Sequence, residues 1–356
     1  MKQVVRLCVA FLGLYLAVGC AIAQTNAYQQ VNLVSSVPNT ARHTDPRLIN
    51  PWGMAFFPGH PFFIADNGRG SVRTYDAQGN LRTPGGFALF PPAGGSGPST
   101  PSGIMRNPFA QFGDFSLGGV ASQFLVVTED GTISGWASDG GNFPSFATLA
   151  VDNSASGAVY TGMTLPTPDC CREFMAVANF HSGLIEPYTV FFFPLAPPGS
   201  FTDPNLPAGY APFNIQTIGN SVVVTYAMQD SKKHDPVVGA GNGIVDIFDQ
   251  EGNFVTRFAS HGPLNAPWGV VKASAQFGAF SNAILIGNFG DGKINAFDSH
   301  TGRFLGQLRD AKGNVIVNPG LRSLVFGTGN TGNVLFFAAG VNQGRDGLFG
   351  AIAVSQ

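Results

Sequence analysis

Charge is the scarcest commodity in this 356-residue chain: Asp, Glu, Lys and Arg together make up 11% of it, and the formal net charge is −2. An average soluble domain carries roughly 25% charged residues. No basic run or arginine-rich face stands out, so the electrostatic footprint of a nucleic-acid binder is missing and nucleic acid is excluded as a partner. After the first two dozen residues no segment offers 18 or more uninterrupted apolar residues, which excludes a later transmembrane helix. Cysteine is rare, with four in total. Cys8 and Cys20 fall in the N-terminal segment, leaving only the adjacent pair Cys170-Cys171 downstream, so a domain stapled by disulfides is excluded. Hydrolase signatures are also lacking: there is no Gly-X-Ser-X-Gly elbow, no His-Glu-X-X-His, no zinc-type Cys/His spacing and no phosphate-cradling loop ahead of a helix.

What the chain has in quantity is glycine (47), proline (25) and phenylalanine (32). Many short strands joined by Gly/Pro/Asn turns fit that composition better than helices do.

Residues 1–23 have a short basic start (Lys2, Arg6), an apolar run from Leu7 to Val18, and Ala21-Ile22-Ala23 ahead of Gln24. This is the layout of a secretory signal peptide, and it predicts a secreted or periplasmic protein with one domain over 24–356. A rival reading takes Ala17-Val18-Gly19-Cys20 as a lipoprotein box, with Cys20 lipidated and the domain held on a membrane surface. The Cys170-Cys171 pair is open between a vicinal disulfide and two ordinary thiols. Neighbouring Cα atoms sit about 3.8 Å apart, whereas ordinary bridges prefer about 4.4–6.8 Å.

Self-similarity is the primary signal. Pro51-Trp52-Gly53-Met54-Ala55, Phe63-Ile64-Ala65-Asp66-Asn67-Gly68-Arg69-Gly70 and Val72-Arg73-Thr74-Tyr75-Asp76 form one copy. Pro267-Trp268-Gly269-Val270-Val271, Leu285-Ile286-Gly287-Asn288-Phe289-Gly290-Asp291-Gly292 and Ile294-Asn295-Ala296-Phe297-Asp298 form another. Ala176–Tyr188 and Val126–Trp136 are a third and fourth, and degenerate copies begin at Gly243 and Gly347. Each unit reads as an inner strand opened by X-Gly-apolar, a buried strand, a Gly-rich turn, an alternating strand, an Asp-X-X-Gly turn and an edge strand. One such sheet cannot bury both faces, so the copies must stack around an axis. The prediction is an all-β, six-bladed β-propeller of four-stranded blades. The last unit runs out of chain after its third strand, and the orphan segment Tyr28–Ser35 is expected to close the ring as that blade's outer strand.

In such a ring the turn after the second strand and the start of the innermost strand share one face around the channel mouth. That face is expected to gather Asp66 and Asn67, Glu129 and Asp130, Asn179 and His181, Asp230 with Lys232-Lys233-His234-Asp235, Asn288 and Asp291, and Asn342 with Arg345. Carboxylates and amides in a ring suit a hard cation such as Ca²⁺, with Asp66, Glu129, Asn179 and Asn288 as the ligand set. Asp, Asn and Gly are equally what tight turns demand. Trp52 and Trp268 open two inner strands and either line the channel as stacking surfaces for a ligand or pack between blades. His181 and His234 are the acid/base candidates, each also readable as a solvated loop histidine.

The strings Thr44-Asp45-Pro46, Leu48–Gly53, Leu206–Gln216, Leu264–Gly269, Gly287–Gly292 and Gly347–Gly350 resemble those of a family of secreted bacterial proteins with no assigned activity. The resemblance implies a six-bladed propeller and, in some members, a C-terminal exosortase sorting tail; Ala351–Gln356 does not look like one. More distantly the blade pattern is similar to NHL-repeat proteins and to calcium-dependent lactonases related to gluconolactonase and paraoxonase. Those enzymes place acidic and Asn ligands where the inner strands begin. Here Trp52, Ser102, Thr161, Trp268 and Pro319 are read at those positions, which lowers the lactonase reading. Two expectations result: a non-catalytic module that binds an extracytoplasmic small molecule, glycan, peptide or protein on the channel-mouth face, or a Ca²⁺-dependent hydrolase with its site at the channel.

Overall fold

The computed structural model describes residues 27–138, 143–167, 173–196 and 199–355. The proposed signal segment with Cys8 and Cys20, and the pair Cys170-Cys171, lie outside the described residues. Six small antiparallel sheets follow one another around a ring, a six-bladed β-propeller. The longest helical element among the described residues is the four-residue Val341–Gly344, and no helix is long and apolar enough to cross a membrane.

Blade 1 runs outward through Pro51–Phe56, Phe62–Asp66, Ser71–Tyr75 and Leu81–Ala88. Blade 2 has Pro101–Arg106 innermost and Thr148–Asp152 outermost; blade 4 spans Tyr210–Ile218 to Phe254–Ser260, and blade 5 Pro267–Lys272 to Phe304–Gln307. Blade 6 takes three strands from the C-terminal end, Leu321–Phe326, Leu335–Ala339 and Leu348–Val354, and a fourth from the N-terminal end. Tyr28–Ser35 pairs antiparallel with Leu348–Val354 from Tyr28↔Val354 to Ser35↔Leu348, which closes the ring as the sequence predicts. Two blades depart from four strands: blade 6 carries a short fifth, His43–Thr44, parallel to Tyr28–Ser35, and among the described residues blade 3 has three, Tyr160–Thr164, Phe174–Asn179 and Leu184–Thr189. There the chain turns sharply at Thr189–Phe193, with Phe192 at φ 64°, and returns to pair only at an isolated bridge, Tyr188↔Pro194, since proline has no N–H with which to extend a ladder.

The second strands read as unbroken apolar runs because both of their faces are covered, as in any sheet clad on both sides. Leu335, Phe337 and Ala339 pack toward blade 5 while Phe336 and Ala338 pack toward blade 1. The apolar clusters follow the ring: six lie between successive blades and a seventh lies on the axis. Full burial of each large side chain contributes on the order of 2–3 kcal/mol, so cohesion is spread over all six junctions.

The inner strands share one device. In each, two residues oppose one on the neighbouring strand shortly after the strand begins: after Pro51, Pro101, Tyr160, Pro212, Pro267 and Leu321. Such a β-bulge bends the strand and re-aims a side chain. Four of the six positions ahead of the bulge are proline, whose missing N–H is tolerated there. The X-Gly pattern has the same origin. A Cβ on Gly53 would lie 2.8 Å from the Ser102 carbonyl oxygen, and one on Gly269 would lie 2.3 Å from that of Arg322. Only glycine lets adjoining inner strands approach so closely.

Candidate functional site

The six bulged residues are Trp52, Ser102, Thr161, Phe213, Trp268 and Arg322, and all are buried. This corrects the sequence alignment, which put Pro319 at the last position and had no residue for blade 4. Strand pairing puts Arg322 and Phe213 there instead. Blade 6 has Ser323 and blade 4 has Asn214 where the other four blades have glycine, so the X-Gly marker is lost in both. The signal that could have found it is Arg322 itself, a charged residue beside Ser323 near the start of the short strand Leu321–Phe326.

The axis at this level is filled. The Trp52 and Trp268 rings meet edge-on at 6.2 Å, and Trp52 meets Phe213 at 6.3 Å. Phe180 and Phe289 extend the cluster. The two indoles are only 3% and 5% exposed, so they pack on each other across the axis rather than standing open to a ligand or sitting between blades. Trp268 Nε1 donates to the Thr161 carbonyl at 3.0 Å, whereas Trp52 Nε1 is buried with no partner.

Arg322 lies over this plug. Its guanidinium carbon is 3.9 Å from the Trp52 ring centroid and 3.5 Å from that of Phe289, a cation held between two aromatic faces. The residue is 4% exposed, and Nε and Nη1 have no hydrogen-bond partner. Burial pulls its pKa down to about 9, while the charges of Glu129 and Asp235 work the other way. It therefore remains a cation at neutral pH. Glu129 is half-buried and accepts from Asn67 Nδ2 at 2.5 Å. Desolvation raises its pKa, against the hydrogen bond from Asn67 and the charges of Arg322 and His234. Blades 1, 2, 4, 5 and 6 thus meet around one buried cation, with the charges of Glu129 and Asp235 acting on it and Asn67 and His234 acting on Glu129.

The other sequence-predicted residues are held within their own blades. Asp66, Asn179 and Asn288 occupy one register position, opposite Pro51, Tyr160 and Pro267. Each fastens the loop leading into the inner strand. Asp66 accepts from Ile49 N–H at 2.9 Å, Asn179 Oδ1 accepts from Val159 N–H at 3.1 Å, and Asn288 Nδ2 donates to the Pro263 carbonyl at 2.8 Å. In blade 2 Asp130 does this work, accepting from Thr100 N–H. Asn179 also donates to Glu186 at 2.6 Å, and Asn288 to Asp291 at 3.0 Å. One oxygen of Asp66 and the Asn288 Oδ1 are buried without partners, and burial pushes the Asp66 carboxyl up to about 8. His181 is half-buried, its N–H bonded to Asn179 Oδ1. His234 is exposed beside Asp235, 3.2 Å away. Asn342 donates to Asp346, at 2.8 Å, and Arg345 to Gln343. Among the described residues no group of three or more His, Cys, Asp or Glu is placed to hold a metal ion.

No family model matches the chain. Relatives exist at the level of whole sequences. The chain is 34% identical over 334 residues to "Uncharacterized protein R648" of Acanthamoeba polyphaga mimivirus, spanning 91% of this chain and 80% of the viral one. The chain belongs to the R648 family. A second mimivirus member, "Uncharacterized protein L690", is 30% identical over 334 residues, 91% of this chain and 85% of its own. Among solved structures, the soluble aldose sugar dehydrogenase of Escherichia coli superposes with a TM-score of 0.55 at 11% identity, covering 92% of this chain and 100% of that one. At that identity the likeness concerns the fold of the R648 family alone.

Proposed function

We propose that the protein is an exported propeller module that binds a polar extracytoplasmic ligand, a glycan, peptide or protein, on its channel-mouth face, and that Arg322, Glu129 and Asn67 form the centre of that site. The reading rests on one observation: a buried guanidinium with two unpartnered N–H groups, clamped between Trp52 and Phe289 beside the Glu129 carboxyl. An unpaired buried donor costs about 1–3 kcal/mol, which a ligand oxygen could recover. The apolar plug beneath gives the site a rigid floor. Export follows from the signal layout of residues 1–23, either as a free protein or anchored at Cys20.

A second reading is the Ca²⁺-dependent hydrolase, with Asp66, Glu129, Asn179 and Asn288 as ligands and His181 or His234 as base. What favours it is that one carboxyl oxygen of Asp66 and the Asn288 Oδ1 are buried without partners, oxygens of the kind a hard cation takes. The deciding experiment screens the purified mature chain on glycan and peptide arrays beside Arg322→Gln and Glu129→Gln, with thermal unfolding in Ca²⁺ and in EDTA. Binding that falls roughly ten-fold or more in both variants, with no Ca²⁺ shift, is the expected result. A Ca²⁺-dependent rise in melting temperature with lactone or ester turnover selects the hydrolase. Unchanged binding in both variants removes the channel mouth as the site.

A further inference from the structure

Away from the axis, the crevice between blades 1 and 2 holds a cavity of about 450 Å³, inside the range of small-molecule pockets. Its walls are aromatic. Phe63 stacks on Phe124 with centroids 4.1 Å apart and planes at 29°, and Trp136 stands 6.0 Å from Phe63. Behind them Phe87 lies parallel to Trp136 at 4.7 Å and 7°. Gly86 forms part of the lining, where its backbone lies against the neighbouring strand. With φ at +121°, a Cβ there would lie 1.7 Å from the Val72 carbonyl oxygen, so no residue with a side chain can occupy the position.

Six lining residues are polar, His60, Thr74, Arg82, Thr83, Gln123 and Ser138, and two of them bear on what the slot would take. Thr74 lines it, is 4% exposed, and its hydroxyl has no hydrogen-bond partner. Arg82 lines it too, with a mostly exposed guanidinium in a loose 3.7 Å pairing with Asp76. Ring faces on the walls select a flat π-system, for which stacked contacts are worth about 0.5–1.5 kcal/mol beyond burial. A buried hydroxyl lacking a partner selects a polar substituent, and a loosely engaged arginine selects an anion.

We infer that this crevice is a second, independent ligand site, for a planar aromatic acid whose ring lies against the aromatic wall of Phe63, Trp136 and Phe143, with a polar edge at Thr74 and its carboxylate toward Arg82. The site does not depend on the channel mouth: none of the residues around Arg322 lines it.

Calorimetric titration of the mature chain with 2-naphthoate tests this, beside cyclohexanecarboxylate, which has the charge without the flat ring. The wild type should bind 2-naphthoate saturably, with cyclohexanecarboxylate at least ten-fold weaker. Thr74→Val keeps the shape and removes the hydroxyl; it should weaken 2-naphthoate about five-fold or more while itself raising the melting temperature. Ser138→Trp, placed in the lining, should abolish binding with the circular dichroism spectrum unchanged. If Ser138→Trp does not fold, Arg82→Ala carries the test, with an expected loss of about five-fold or more. No saturable binding to the wild type, equal affinity for the two acids, or affinity unchanged in Thr74→Val overturns the inference.

Discussion

Trp52 and Trp268 occupy the same place in the same Pro-Trp-Gly string, yet replacing each with phenylalanine should have different consequences. Trp268→Phe removes a hydrogen bond of 3.0 Å and leaves the Thr161 carbonyl buried without it. That loss is about 1–2 kcal/mol. The smaller ring also opens roughly 40 Å³, which at about 24 cal/mol per Å³ adds about 1 kcal/mol. Trp52→Phe opens the same volume and weakens the stacking of Arg322, by about 0.5 kcal/mol. It also deletes an indole N–H that is buried with no partner, which returns about 1 kcal/mol or more. The net expectation is about 2–3 kcal/mol lost for Trp268→Phe and about 0–1 kcal/mol for Trp52→Phe. At roughly 2 °C per kcal/mol for a domain of this length, the first variant should melt about 4–6 °C below the wild type and the second within about 2 °C. Thermal unfolding followed by far-ultraviolet circular dichroism measures both. If Trp52→Phe costs as much as Trp268→Phe, the hydrogen-bond argument for the axis is refuted.

Two other outcomes are expected. Asp66 is buried and its carboxyl is pushed up to about 8, so the folded state holds a proton that the unfolded state releases near pH 4. Stability tied to this group is therefore complete below about pH 4, falls by up to about 1.4 kcal/mol per pH unit between about 4 and 8, and is level above that. Asp66→Asn keeps the acceptor for Ile49 N–H and should lack this slope; parallel urea-denaturation profiles for the two proteins from pH 5 to 8 would rule it out. Gly269→Ala forces a methyl against the Arg322 carbonyl and should cost about 1–3 kcal/mol. Gly313→Ala, where nothing lies within 4 Å but φ is +83°, should cost about 1 kcal/mol by backbone strain alone. A Gly269→Ala denaturation midpoint equal to that of the wild type would show that the inner strands are not packed through this glycine.

The repeat made the ring legible because each blade must bury two apolar faces and announces this by its strand pattern. The orphan Tyr28–Ser35 could be assigned to blade 6 because that blade runs out of chain one strand short. The turn residues could be assigned to one face for the same reason, since Asp66, Asn179 and Asn288 recur at one register position. What those side chains do there was not legible. An Asn or Asp that fastens a loop and one that ligates a cation look alike in one dimension, and only their partners, Ile49, Val159 and Pro263, distinguish the tasks they perform.

By itself, then, the sequence determined the number of blades, the closure of the ring and the face on which the turns assemble, because these follow from local periodicity and from the need to cover apolar surface. The tertiary structure alone decided that the axis is closed by Trp52, Phe213 and Trp268 and that Arg322 lies over them beside Glu129. A bulge re-aims one side chain per inner strand, and four of them, Trp52, Phe213, Trp268 and Arg322, far apart along the chain, meet only when the ring closes. No spacing in the sequence records a meeting that depends on four separate strands bending toward one line.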